Sequence, residues 1–135
     1  MSLNMKPFHI KIYGQYDPSE LPEILSKTDL AVIPSRSENY PFVVRECLHA
    51  GVPVIASNVG GIPEIIKNGE NGLLFESGNF HDLAAKLTLI IMNPKILMNF
   101  RKNIKPVKSI AEDVIELGKL YREILENNKL ITKKT

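Results

Sequence analysis

The segment PSRSENYPFVVRECLHAGVPVIASNVGGIPE, which runs from Pro34 to Glu64, decides the fold of this chain. The apolar run Leu30–Ile33 in front of it predicts a fully buried strand. After a polar turn, we expect a helix to begin near Tyr40 or Pro41 and to end at the Gly of AGVP, because Gly favours a helix end. Val54–Ala56 predicts a second buried strand. Strand, helix and strand in this order indicate a parallel βαβ unit.

The loop after the first strand and the start of the helix predict a binding site. Ligands of parallel α/β sheets bind outside the carboxyl ends of the strands, and Glu38 lies in a loop at such an end. The helix N-terminus offers unpaired N–H groups and the positive end of the helix dipole, which favour phosphate. Glu46 follows Phe42 by four residues and therefore lies one turn along the same face. Two carboxylates that can bind hydroxyls, with a phosphate-sized helix end between them, predict a nucleoside diphosphate attached to a sugar.

Glu38 and Glu46, with seven residues between them, resemble the Glu-x7-Glu signature of retaining GT-B glycosyltransferases, the glycosyl transferases group 1. Four further segments are similar to the same family: Pro34-Ser35, Gly51–Val54, Gly60–Glu64 and Asn71–Phe75. The resemblance covers nearly all of the chain. It implies a fragment of the C-terminal, donor-binding domain of such an enzyme.

The resemblance also implies a role for each candidate residue. Glu38 would be the catalytic residue, holding hydroxyls of the sugar, and Glu46 would bind the ribose. The backbone N–H groups of Tyr40, Phe42 and Val43 would approach the sugar and the distal phosphate, and no metal or other cofactor is expected. At Asn39-Tyr40-Pro41 many members have Gly-Phe-Gly, and Pro41 removes one N–H donor. The substrate-binding candidates are Tyr16 (beside the base), Asn39, Tyr40, Phe42, Val43, Glu46, Gly60 and Gly61.

The remaining segments predict an α/β fold with a Rossmann-like parallel sheet of about four strands, flanking helices and a helical C-terminal end. In the last of the helices, apolar residues recur at spacings of 4, 3, 4 and 3, which indicates an amphipathic helix. We expect the tail from Asn127 to fray. The predicted elements are a strand at His9–Gly14, a helix capped by Asp17 and Glu20, a short helix at Ile62–Lys67, a strand at Gly72–Phe75, a helix from Asn79 to about Met92 with Leu83, Leu87, Ile90 and Ile91 inward, a helix from Pro94, and the amphipathic helix Ile110–Ile124.

Length and composition bound the function. At 135 residues the chain fits a single domain, 1–135, and its net charge of +2 is too small to predict nucleic-acid binding. A single cysteine, Cys47, cannot form an internal disulfide, which indicates a reducing compartment. We expect a cytoplasmic protein, with the whole enzyme contacting the inner face of a membrane and acting in polysaccharide biosynthesis.

The resemblance implies that the acceptor-binding domain and the opening strands of the donor domain are absent, together with the basic pair that neutralises the leaving diphosphate. We therefore expect the isolated fragment to be inactive, with the missing N-terminal domain of the same protein as its partner. Two other functions stay open, a non-catalytic nucleotide-sugar-binding module and a fragment of a sugar-nucleotide epimerase. Without the sequence around them, Glu38 and Glu46 would be interpreted as two solvated carboxylates.

Overall fold

The structure, a computed structural model, describes residues 11–105 and 110–132. It is an α/β fold whose sheet has three parallel strands in the order β1-β2-β3. The strands are β1 (Ala31–Ile33), β2 (Val54–Ser57) and β3 (Gly72–Phe75). The helices are α1 (Leu21–Ser26), α2 (Phe42–His49), α3 (Ile62–Ile65), α4 (Phe80–Met92), α5 (Lys95–Asn103) and α6 (Ile110–Thr132). The predicted fold class is confirmed.

Helices cover both faces of the sheet because the side chains of β2 alternate between two cores. Val54 and Ala56 pack with buried residues of α1, α2 and α3, whereas Ile55 packs with buried residues of β3, α4 and α5. This is the period of two that a strand imposes. All four residues of β2 are buried, as expected of a central parallel strand.

The first predicted strand is wrong in the part that the structure describes. Lys11 to Gly14 has no strand structure, and the side chains of Ile12 and Tyr13 are exposed. His9 and Ile10 lie outside the described residues. The alternating sequence suits a strand, but strand structure also needs a neighbouring strand for its hydrogen bonds. The described sheet therefore has three strands and not about four.

The prediction that the strand before Pro34 is fully buried is also wrong. Ala31 and Ile33 are half-buried, and Val32 is exposed. The reason is position, because β1 is at the edge of the described sheet and pairs with β2 alone. Ala31 and Ile33 pack at the margin of the core formed with α1, α2 and α3, whereas Val32 belongs to neither core.

Helix boundaries follow the local signals in the sequence. The Asp17 carboxylate accepts a hydrogen bond from the Ser19 N–H at 2.8 Å, and the Glu20 carboxylate accepts one from the Asp17 N–H at 2.7 Å. This is the capping box that the sequence predicts, and it opens a short 3-10 turn at Pro18–Glu20 that leads into α1. The Asn79 side chain likewise accepts a hydrogen bond from the Asp82 N–H at 3.0 Å and caps α4.

Two predictions about the later helices are corrected. Ile91 does not point inward, because it is 69% exposed, whereas the preceding residue Ile90 is buried. Helix α6 continues to Thr132, past the Asn127 position where fraying was predicted. The apolar residues that define the amphipathic face of α6, among them Val114, Tyr121 and Ile124, are 46–62% exposed.

No single helix within residues 11–105 and 110–132 has the length and apolar character required to cross a membrane. Helices α4 and α5 together have that length and composition, but they are bent by 102° relative to one another.

Candidate functional site

The loops at the carboxyl ends of β1 and β2 are joined by a buried hydroxyl. Ser57, the last residue of β2, is fully buried, and its hydroxyl donates to the carbonyl oxygen of Ser35 at 2.5 Å. The hydroxyl of Ser77, which follows β3, lies 3.3 Å from the same carbonyl. These contacts fix the start of the loop that carries Glu38 to β2 and to the segment that follows β3.

Gly60 and Gly61 pack directly against the backbone of that loop. Gly60 has a φ of +52°, and a Cβ at this position would overlap the carbonyl oxygen of Glu38. The Gly61 N–H donates to that carbonyl at 3.4 Å, and a Cβ on Gly61 would lie 3.1 Å from the carbonyl oxygen of Asn39. Gly60 alone of this pair has a positive φ, and both glycines allow the close approach of another backbone segment. The approaching group in this structure is the Glu38 loop itself.

The two candidate carboxylates differ in burial. Glu38 is half-buried in the loop, whereas Glu46 is exposed on α2 together with Phe42 and Val43. The opposite side of α2, formed by Val44, Cys47 and Leu48, is buried in the core. Helix α2 is therefore oriented so that one side anchors it and the other carries candidate residues to solvent.

The N-terminus of α2 keeps two N–H groups without an acceptor among the described residues. Pro41 occupies the N-cap position of α2, and its side chain makes no hydrogen bond to the first turn of the helix. The Phe42 N–H donates to the Tyr40 carbonyl at 2.8 Å, and the Arg45 N–H donates to the Pro41 carbonyl at 3.1 Å. The N–H groups of Val43 and Val44 are left, and such groups attract anions. Of the predicted phosphate donors, Phe42 is thus already engaged by the protein.

Tyr40 is held by side chains from two helices. Its hydroxyl donates to the Asp113 carboxylate of α6 at 3.0 Å. The Arg45 guanidinium lies 4.6 Å from the centre of the Tyr40 ring, and the Phe42 ring centre lies at the same distance. Burial, followed by the hydrogen bond to Asp113, raises the pKa of Tyr40. The hydroxyl therefore stays protonated and can donate at neutral pH.

Tyr16 and Asn39 are less closely integrated. Both are exposed, and Tyr16 lies in an irregular segment before the Asp17 cap. In the described part of the chain, no hydrogen bond or ring contact joins Tyr16 to the other candidate residues. The structure thus brings together the Glu38 loop, the α2 N-terminus and the glycine pair, and it does not link Tyr16 to them.

Sequence reasoning missed Ser57, Ser77 and Asp113. A polar residue directly after the apolar run Val54–Ala56 is a local signal for Ser57, because such a residue ends a strand where loops meet. Asp113 has no comparable signal, since 73 residues separate it from Tyr40. Among residues 11–105 and 110–132, no three His, Cys, Asp or Glu side chains are grouped so that they could hold a metal ion.

Three solved structures are similar to this chain. Sucrose-phosphate synthase from Thermosynechococcus elongatus has a TM-score of 0.73 at 28% identity, over 85% of this chain and 30% of that one. The C-terminal domain of LpcC, a glycosyl transferase group 1 family protein from Francisella tularensis, has a TM-score of 0.61 at 30% identity, over 68% of this chain and 47% of that one. Anabaena HepE in complex with UDP and glucose has a TM-score of 0.66 at 26% identity, over 80% of this chain and 30% of that one.

The fold and these neighbours define a glycosyltransferase domain of the GT-B type. The family model for glycosyl transferases group 1 matches residues 5–107, and the chain belongs to that family. An uncharacterized glycosyltransferase of Methanocaldococcus jannaschii is 34% identical over 119 residues, which is 86% of this chain. The chain spans about a third of the length of that relative, 34%.

Proposed function

We propose that this chain is the donor-binding part of a retaining glycosyltransferase, which moves a sugar from a nucleoside diphosphate sugar to an acceptor hydroxyl without a metal. Membership of glycosyl transferases group 1 supports sugar transfer by the whole protein. Anabaena HepE, which was solved with UDP, with UDP and glucose, and with UDP-glucose, supports a nucleotide-sugar donor. The acceptor site would belong to a further N-terminal domain of the same protein, so the isolated chain would not turn over.

The observation that carries the proposal is the arrangement at the α2 N-terminus. Glu38 is half-buried in a loop that Gly61 and Ser57 hold in place, and Val43 presents an N–H without an acceptor among the described residues. Glu46 is exposed one helical turn further along α2. The site thus combines carboxylates for hydroxyl groups with a helix end for phosphate, in the order that a sugar diphosphate presents them.

In the proposed mechanism, Glu38 binds hydroxyls of the donor sugar and Glu46 binds the ribose. The Val43 N–H and the helix dipole stabilise the negative charge that develops on the leaving diphosphate, because preorganised dipoles interact most strongly with the transition state. Gly60 and Gly61 shape the loop, and Tyr16 and Asn39 are kept as proposed contacts to the base and the sugar. We place the whole enzyme in the cytoplasm, at the inner membrane face.

A titration of the chain with UDP-glucose, GDP-mannose and ADP-glucose, followed by calorimetry or NMR, tests this proposal. We expect weak binding of at least one of them. Glu46→Ala should weaken it by about ten- to hundredfold, since a hydrogen bond to a charged group contributes about 1.5–3 kcal/mol.

Glu70→Ala is the matched control. Glu70 is an exposed carboxylate in the turn before β3, at the opposite end of the strands from the proposed site. Its removal changes the net charge by the same amount and should leave affinity unchanged. Equal binding by Glu46→Ala and the unmodified chain would exclude Glu46 from the site. Binding of no nucleotide sugar would contradict the donor role itself.

A further inference from the structure

Helix α6 contacts the proposed donor site through one carboxylate. Oδ2 of Asp113 accepts the hydroxyl hydrogen of Tyr40 at 3.0 Å and lies 3.5 Å from Nη1 of Arg45. Arg45 also covers the Tyr40 ring, with its guanidinium carbon 4.6 Å from the ring centre. Three side chains from α6, α2 and the preceding loop thus form one group, which we name the Asp113 cluster.

The Asp113 cluster is partly shielded from water. The side chains of Arg45 and Asp113 are 25% and 36% exposed, in contrast to the Lys27–Glu23 surface pair, whose side chains are almost three-quarters exposed. Shielded, charge-assisted contacts are stronger than exposed ones. Cation–π contact with a partly desolvated ring adds to them. The cluster is therefore able to hold Tyr40 in one orientation.

The backbone of Tyr40 connects the Glu38 loop to the start of α2. Its carbonyl accepts the Phe42 N–H at 2.8 Å, which sets the turn into α2. Glu38 precedes Tyr40 by two residues, and the Val43 N–H follows the turn that begins at Tyr40. A rotation of the Tyr40 peptide units would move both groups relative to one another, and a binding site loses affinity when its groups are not held in place.

We propose that Asp113 is a positioning residue of the donor site, which holds Tyr40 and Arg45 so that Glu38 and the α2 N-terminus keep the geometry that a nucleoside diphosphate sugar requires. This inference rests on the proposed function and adds a residue to it. Asp113 lies beyond residues 5–107 that the family model matches, and it is not among the candidate residues that the sequence predicts. It acts through Tyr40 and does not touch the donor.

An NMR titration of the chain with UDP-glucose and, separately, with UMP tests the inference. In the proposed site, the glucose and the distal phosphate of UDP-glucose lie beside Tyr40. UMP has the ribose and one phosphate, but it lacks the glucose and the distal phosphate. Asp113→Ala should weaken UDP-glucose binding by about five- to tenfold, the effect of one lost hydrogen bond. UMP binding should change by less than about twofold, because Glu46 and its surroundings are intact.

Two further variants separate positioning from a purely structural role. Asp113→Asn keeps an oxygen that can accept the Tyr40 hydroxyl, so it should restore much of the UDP-glucose affinity. Tyr40→Phe removes the same hydrogen bond from its other end, and the double variant Tyr40→Phe/Asp113→Ala should bind no more weakly than Asp113→Ala alone. Glu126→Ala, which removes an exposed carboxylate from the same helix, is the charge control and should bind both ligands like the unmodified chain.

Each result decides between the alternatives. If Asp113→Ala binds UDP-glucose as tightly as the unmodified chain does, the positioning role is overturned and the proposed function stands. Equal losses for UDP-glucose and UMP, together with a lower urea midpoint, would mean that Asp113 only stabilises the fold and would also overturn it. If GDP-mannose or ADP-glucose is the nucleotide sugar that binds, it and its nucleoside monophosphate take the place of UDP-glucose and UMP. Binding of none of the three nucleotide sugars by the unmodified chain would instead contradict the proposed function, and this inference with it.

Discussion

Helices α2 and α6 are both amphipathic in sequence, yet they are packed very differently. In α2, the apolar residues Val44, Cys47 and Leu48 are 1–2% exposed and lie against the sheet. In α6, the apolar residues along one face remain about half exposed, and the Asp113 side chain contacts Tyr40 and Arg45 in the body of the fold. The difference teaches that periodicity identifies the residues that gain from burial but not the surface that buries them.

The first prediction compares the same substitution in the two helices. Leu48→Ala should lower the free energy of unfolding by about 2–5 kcal/mol, because it leaves a cavity in the core. Leu117→Ala, at a position that is 51% exposed, should cost no more than about 0.5 kcal/mol. Urea denaturation of both variants measures the difference. Similar losses would show that α6 is covered in solution and would remove the contrast.

The second prediction uses glycine to alanine changes that should differ in sign. Gly60→Ala should destabilise the protein by more than about 2 kcal/mol, because φ is positive and the new methyl group overlaps the Glu38 carbonyl. Gly118→Ala in α6 has room, its nearest neighbour being the Arg122 guanidinium at 4.0 Å. It should stabilise by about 0.5–1 kcal/mol, since Gly costs that much inside a helix. Thermal unfolding measures whether each substitution raises or lowers the stability. An unchanged stability in Gly60→Ala would mean that the Glu38 loop can move away from the new methyl group.

The third prediction concerns chemical reactivity and compares thiols. Burial raises the pKa of Cys47 to about 11, so the folded protein should resist iodoacetamide at pH 8 and react after unfolding. In Leu117→Cys, the added thiol should react quickly at the same pH. Mass spectrometry counts the labels. Rapid labelling of Cys47 in the folded chain would contradict the packing of α2.

The same pKa predicts a dependence of stability on pH. The folded state favours the neutral thiol, because burial raises its pKa above the ordinary value of 9.0. The contribution of Cys47 should therefore be constant below about pH 9 and should fall as the pH rises from about 9 to 11. Cys47→Ala should remove this part of the pH dependence in urea titrations.

Local sequence signals predicted the elements best. The Asp17–Glu20 capping box, the Asn79 cap and the strands around Val54 and Gly72 are all where their residues indicate. Each of these depends on neighbours a few positions away. The alternating segment that includes Lys11–Gly14 failed for the converse reason, because strand formation depends on a partner that the segment itself does not specify.

The sequence predicted the loops of the candidate site, but it did not predict the long-range contacts that hold these loops in place. Glu38, Gly60 and Gly61 are close together as expected, because strand ends of a parallel sheet meet at one edge. The contacts of Ser57 with Ser35 and of Asp113 with Tyr40 join residues 22 and 73 positions apart. Such contacts depend on the folded arrangement of separate elements, and no local spacing encodes them.

The attachment of the Glu38 loop has a consequence for how such proteins diversify. Ser35 is fastened to β2 by the Ser57 hydroxyl, and the Glu38 carbonyl is fastened to the Gly61 N–H. Between and beside these two anchors, Arg36, Ser37 and Asn39 point to solvent. Mutation can therefore exchange these three side chains during evolution without shifting the anchored backbone, so the surface of the proposed donor site can change while the backbone of Glu38 stays in place.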